Sequence, residues 1–328
     1  MRFAIQLGIG LGDIKKLRDT AQLVEELGYD VLYFPDHLVL EGPERQRMGG
    51  PSFDSMAMAI IAAQATRRVR IGHMVLCNLF RHPAITAQSL ATLDHLSNGR
   101  ALAGLGTGWT ETEFRMTGIP FPPIADRLRL LDESLTCIRG LWGDAPFTHD
   151  GEFFHFRDAD IAPRTVQKPH PPIVLGGGGK GLLRVAARHA DVLNLISEVG
   201  HKGYIAMEES SRFDADAMRA KIDFVRAEAA KLGRDPQAIE ISNFAFTTMI
   251  SHSADAVRAT REAMAGFLGT TPDAVSRTPM ALIGSPEEVV AELRRRATVW
   301  DVRELCFQFQ DEAAVKLFAA EVIPAFRS

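Results

Sequence analysis

The side chains best suited to chemistry in this 328-residue chain fall where short apolar runs end. Asp36-His37 follows Val31-Leu32-Tyr33-Phe34. An imidazole there can carry a proton or hydrogen-bond a ligand ring, and a loop cap explains it equally well. Gly106-Thr107-Gly108-Trp109 closes another apolar run. Paired glycines let backbone N–H groups approach an anion or a flat ring, or simply supply a turn with positive φ. They do not form a dinucleotide fingerprint, which needs G-x-G-x-x-G and an acidic residue further on. Gly176-Gly177-Gly178-Gly179-Lys180-Gly181 joins Ile173-Val174-Leu175 to a helix. Flexible glycines before a helix N-terminus make a phosphate cradle. No Ser or Thr follows the lysine, so the loop favours a phosphate-bearing cofactor over a nucleotide triphosphatase.

Other chemistries find less support. The ten histidines are scattered, with no H-x-x-x-H or C-x-x-C pair on one element, and no metal site is expected. His73, His82 and His95 read as structural or exposed. Cys77 and Ser197 follow strands, but the chain lacks the G-x-S-x-G elbow of a serine nucleophile. Met56 and Met58 read as core or lid residues.

Something must position these residues, and the pattern that does so is strand, loop, helix, repeated. Eight apolar runs read as strands: Arg2–Leu7, Val31–Phe34, Arg70–Leu76, Arg100–Leu105, Ile173–Leu175, Asp191–Ile196, Ile239–Met249 and Val302–Phe309. Helical spacing lies between nearly all of them; Leu17, Ala21, Val24 and Leu27, for instance, mark one face of a helix over 13–27. Alternating βα units imply a parallel sheet with right-handed crossovers. Eight of them, with no linker-like stretch, favour a single (β/α)8 TIM barrel over 1–328 rather than two domains. The connections at 36–52, 107–126, 143–172 and 197–211 are long. In a barrel such insertion loops sit at the C-terminal face of the strands, over the site; 36–52 and 197–211 are candidate lids.

Composition narrows the function classes. With 37 basic and 41 acidic side chains the net charge is −4, and no basic stripe marks a nucleic-acid surface. No apolar run approaches the ~20 residues needed to span a bilayer, and the first residues read as a strand rather than a signal peptide. Three separated cysteines, Cys77, Cys137 and Cys306, fit free thiols in a reducing, cytoplasmic compartment.

Taken together the segments resemble the bacterial luciferase-like superfamily, in its deazaflavin branch of F420-dependent oxidoreductases. The resemblance rests on Tyr33-Phe34-Pro35-Asp36-His37, on Arg70 to Asn78 with Arg81-His82-Pro83, and on Leu93-Asp94-His95-Leu96-Ser97-Asn98-Gly99-Arg100. It continues through Gly104 to Trp109 with Glu113-Phe114, Gly118-Ile119-Pro120-Phe121, Pro169 to Ile173 and Gly176 to Gly179. Ala186-Ala187-Arg188-His189-Ala190-Asp191 and Gly284-Ser285-Pro286-Glu287-Glu288 complete it. Nine modest pieces in the right order make the match specific.

The resemblance implies a TIM barrel holding a flavin or deazaflavin ring in its mouth, with a non-prolyl cis peptide at Met74-Val75 against the back of the ring. Cys77 and Asn78 then border the ring edge. Gly106, Thr107, Gly108 and Trp109 line the polyol chain, with Glu113 nearby, and Gly176, Gly177, Gly178 and Gly179 cradle the phosphate. Asp36 and Ser197 lie beside the ring, and His37 is the candidate catalytic acid or base. Trp109 stands where some F420-dependent sugar-phosphate dehydrogenases carry a catalytic Glu. Coenzyme F420 is the expected cofactor, with FMN the alternative. Lys180, Arg184 and Arg157 are candidate partners for the acidic F420 tail. The expected activity is hydride transfer between the deazaflavin and a small organic substrate. The alternatives are an FMN-dependent monooxygenase and a non-catalytic flavin-binding barrel. The family also implies a homodimer and a separate cofactor-reducing enzyme.

Overall fold

The computed structural model describes residues 1–8, 13–39, 53–198, 212–309 and 311–327. Of the two expected lids, 40–52 and 199–211 lie outside the described residues. Eight parallel strands form a closed barrel: β1 (Arg2–Gln6), β2 (Val31–Phe34), β3 (Arg70–His73), β4 (Ala101–Gly106), β5 (Ile173–Gly177), β6 (Val192–Leu195), β7 (Glu240–Ala245) and β8 (Val302–Gln308). Neighbours pair in chain order, β8 pairs with β1, and β3 pairs with β4 to complete the circuit. All eight strands match the order of the apolar runs.

Period-two alternation divides the strands between two cores. Phe3, Ile5, Leu32, Phe34, Ile71 and Leu105 pack outward against helices such as Ile14–Glu26, Pro83–Leu96 and Ile124–Leu141. Ala4, Val31, Tyr33, Leu102, Val174, Val192, Phe244 and Cys306 make a separate cluster inside the barrel. Below that cluster, Glu304 accepts from the Tyr33 hydroxyl (3.1 Å), Ser242 Oγ (3.1 Å) and Arg2 Nε (3.2 Å). This polar floor closes the end of the barrel where the strands begin. Helix starts follow ordinary capping chemistry: Asp13, Asp54, Asp214 and Ser285 each accept a backbone N–H of the first turn.

Three expectations need correction. The run Ile239–Met249 is not one strand: β7 ends at Ala245, and Thr247–Ile250 leaves the barrel to pair in parallel with Ala281–Gly284. Buried Arg296 organises that departure by donating to the carbonyls of Thr278 (3.0 Å) and Ala281 (2.6 Å) and to Asn243 Oδ1 on β7 (2.7 Å). The connection 143–172 contains a hairpin, Phe147–Asp150 with His155–Ala159. Glu133 of helix Ile124–Leu141 grips its turn, accepting from the amides of Phe153 (3.0 Å) and Phe154 (2.8 Å). Finally, the third strand is not continuous over Arg70–Leu76 but breaks after His73 and resumes as Leu76–Cys77; the cis peptide between them, Met74-Val75, is the one the resemblance implies.

Candidate active site

Because every barrel strand runs the same way, the residues after the strands gather at one rim. Asp36, just past β2, is buried and accepts two N–H groups of Arg81 (2.6 and 3.1 Å) and the Cys77 amide (2.9 Å). It thereby ties the end of β2 to the end of the third strand. His37 points its Nδ1 at Oε1 of Glu113 (3.2 Å), and the Leu38 amide donates to the other oxygen (3.0 Å). Glu113 is only 1% exposed and comes from a short helix, Glu111–Thr117, that the sequence reading left inside a loop. Trp109 stands edge-on to the His37 ring, with centroids 5.6 Å apart.

The broken third strand supplies the floor of the rim. Gln6 Nε2 donates to the Met74 carbonyl (2.7 Å). A Cβ on Gly106 would come within 2.4 Å of Val75 Cγ2, and one on Gly176 within 3.3 Å of Val75 Cγ1. The Val75 side chain therefore lies across the ends of β4 and β5, clashing with any Cβ at Gly106 and packing tightly at Gly176. Gly108 has φ +74°, and a Cβ there would meet Cys77 Sγ at 2.8 Å. Burial pushes the Cys77 thiol up to about 12, so it is a neutral thiol and a poor nucleophile.

On the far side, Gly177 has φ +150°, and a Cβ on Gly178 would sit 2.1 Å from the Ile196 carbonyl oxygen. Gly179 begins helix Lys180–His189 with no side-chain cap, which leaves first-turn amides for an anion. Lys221 donates to the Gly178 carbonyl (2.5 Å) and pairs with Glu198 (3.1 Å). The sequence reading missed Lys221, as it missed Gln6, Arg81 and Arg127 as rim residues. Lys180 and Arg184 lie over the Phe224 ring, Arg184 also pairs with Glu228, and Arg157 is exposed on the hairpin.

Among the described residues, four buried polar atoms around this rim have no partner: Asn78 Nδ2, Thr110 Oγ1, Arg127 Nε and Ser197 Oγ. Arg127 is held there by its bond to the Gly108 carbonyl (2.5 Å) and by the Phe121 ring, 3.9 Å from its guanidinium. Leaving a buried polar group unpaired costs about 1–3 kcal/mol. Four such atoms, a glycine cradle and an uncapped helix start suit a flat polar ring joined to a phosphate.

Other clusters are already satisfied. Among the described residues, Glu133, Cys137 and His149 bring potential metal-ligand atoms within 4.8 Å of one another. The Glu133 carboxylate, however, is taken up by the hairpin amides. A cleft of about 450 Å³ opens away from the rim, lined by Ser251, Arg258, Arg261 and Glu288. Its arginines are paired, Arg258 with Asp255 and Arg261 with Glu288. His82 caps a helix and His95 contacts the Arg164 carbonyl (2.7 Å). Among the described residues no helix is long and apolar enough to cross a membrane.

Comparison with known proteins agrees with this geometry. The F420-dependent glucose-6-phosphate dehydrogenase of Intrasporangium calvum is 28% identical over 95% of both chains. The FMNH2-dependent dimethylsulfone monooxygenase of Pseudomonas putida is 26% identical, over 81% of this chain and 69% of its own. The coenzyme F420-dependent tetrahydromethanopterin reductase of Methanopyrus kandleri has the same fold, with a TM-score of 0.74 and 20% identity over 99% of each chain. The family model for luciferase-like monooxygenases matches residues 1–300. With its closed barrel, broken third strand and glycine-lined rim, the chain belongs to the luciferase-like monooxygenase family.

Proposed function

We propose that this protein is an F420-dependent oxidoreductase acting on a small organic substrate. The observation that carries this reading is the end-to-end match to an F420-dependent dehydrogenase, over 95% of each chain, on a rim whose unpaired donors fit such a ring. Asn78 and Ser197 would face polar atoms of the ring or its side chain, with Val75 as the floor beneath it. Gly177, Gly178 and the free amides at Lys180 and Gly181 would hold the phosphate, and Lys221 would keep the loop in shape. When bound, F420 supplies two-electron hydride chemistry. The chain's own part is to orient ring and substrate, exclude water, and hold or take a proton at His37. Trp109 in place of a glutamate beside His37 speaks against a sugar-phosphate substrate and for a smaller, less polar one. A homodimer working with a separate cofactor-reducing enzyme in the cytoplasm completes the proposal.

Equilibrium titration of the purified protein with F420 and with FMN tests the reading. Saturable F420 binding at micromolar concentration or below, with FMN much weaker, supports it. The similarity to the Pseudomonas monooxygenase favours a second reading, in which reduced FMN activates oxygen. Preference for FMN with substrate-dependent oxygen uptake would establish that alternative. Binding of neither cofactor would refute both.

A further inference from the structure

The glycine cradle turns on one peptide plane. Gly178 and Gly179 share a trans peptide, so the Gly178 carbonyl and the Gly179 N–H point to opposite sides of it. The carbonyl side is occupied: Lys221, on helix Ala215–Lys231, donates from Nζ to the Gly178 oxygen at 2.5 Å. The N–H side is where helix Lys180–His189 begins without a side-chain cap. Ser197 marks the same place, since a Cβ on Gly178 would lie 3.2 Å from its carbonyl carbon. That serine is 1% exposed, and its hydroxyl has no partner among the described residues. Two consecutive glycines put no Cβ in the way of turning the plane over. The turn would carry Gly179 from φ −77° to positive φ, which glycine tolerates, and would aim an oxygen at an anion instead of a donor. Lys221 opposes that turn. Its ammonium can only donate, and Glu198 at 3.1 Å and the buried Phe213 ring at 5.9 Å hold it in place. We infer that Lys221 is a positioning residue for the phosphate, fixing the Gly178–Gly179 plane with its N–H toward the anion. Through the carbonyl its charge also polarises that N–H and strengthens it as a donor. A hydrogen bond from a charged donor is worth about 10- to 150-fold in an equilibrium constant. Phosphate as the ligand rests on the F420 reading; the orientation of the plane does not.

Lys221→Met removes the donor at similar side-chain length, and Lys221→Arg keeps one. Titration with F420 and with the deazaflavin riboside that lacks phosphate and tail separates phosphate binding from ring binding. Lys221→Met should bind F420 about 10- to 100-fold more weakly and the riboside within about twofold of the wild type. Lys221→Arg should hold F420 within about threefold. Crystal structures of the cofactor-free wild type and Lys221→Met read the plane directly, and the methionine variant should show it turned over or in two orientations. An unchanged plane in Lys221→Met overturns the inference. So does an equal loss of affinity for F420 and riboside, which marks general damage to the rim. Should the methionine variant not fold, Lys221→Ala gives the same readouts. If neither F420 nor FMN binds the wild type, the F420 reading fails and the crystal structures still decide the plane.

Discussion

Replacing Asp36 by Asn tests how far the rim depends on one ion pair. The Asp36 side chain is 4% exposed and that of Arg81 17%. The carboxylate takes two guanidinium N–H groups and one amide. Removing one member of a buried pair costs about 3–5 kcal/mol, mostly because the other charge is stranded. Here Arg81 keeps a second carboxylate, Asp54 at 3.1 Å, itself 56% exposed. The cost should therefore lie near the lower end, about 3 kcal/mol. An unfolding entropy of about 2.1 cal/mol/K per residue, summed over the chain, converts this to a fall in Tm of about 4 °C. Urea unfolding of Asp36→Asn, Arg81→Met and the double variant should give a coupling energy of about 2 kcal/mol. The Cys77 amide would lose its charged partner, so cofactor affinity should fall as well. If the two single changes add within about 0.5 kcal/mol, the pair does not hold the rim and the reasoning fails.

Four further outcomes follow from particular contacts. Gly178→Ala would set a Cβ 2.1 Å from the Ile196 carbonyl oxygen, forcing the ends of β5 and β6 apart. It should cost about 1–3 kcal/mol and weaken cofactor binding at least tenfold. Gly266→Ala, with nothing within 4 Å on helix Ala254–Leu268, should instead stabilise by up to about 1 kcal/mol. His73 is fully buried, and burial pushes it down to about 4 from 6.5. The unfolded chain therefore takes up the proton first as pH falls. Stability is complete above pH 6.5 and declines between 6.5 and 4, by about 3 kcal/mol in all. Urea unfolding at pH 7 and pH 5 should show this decline in the wild type and lose it in His73→Gln. Arg296→Ala should cost about 3–5 kcal/mol, because Asn243 and the carbonyls of Thr278 and Ala281 lose their donor inside the fold. Differential scanning calorimetry would expose a smaller loss.

Much of the architecture is legible in the residues alone. Strand and helix periodicities are local, so β1 to β8 and the helices between them can be read in order. Glycine clusters at strand ends likewise locate the rim, because few other residues tolerate the turns and close approaches found there. The hairpin at 147–159 escapes because its strands are half-exposed and lack an apolar run. The split of Ile239–Met249 escapes because a continuous apolar run carries no mark of where it leaves the sheet. Partner choice is also out of reach. His37 and Glu113 are 76 positions apart, and Asp36 and Arg81 are 45 apart. A carboxylate announces that it needs a donor without saying which one. Residue type and spacing determine the βα repeat and the chemistry available at each strand end. Closure of the barrel alone decides which of those groups meet, because contacts between distant segments depend on register and burial that no local pattern encodes.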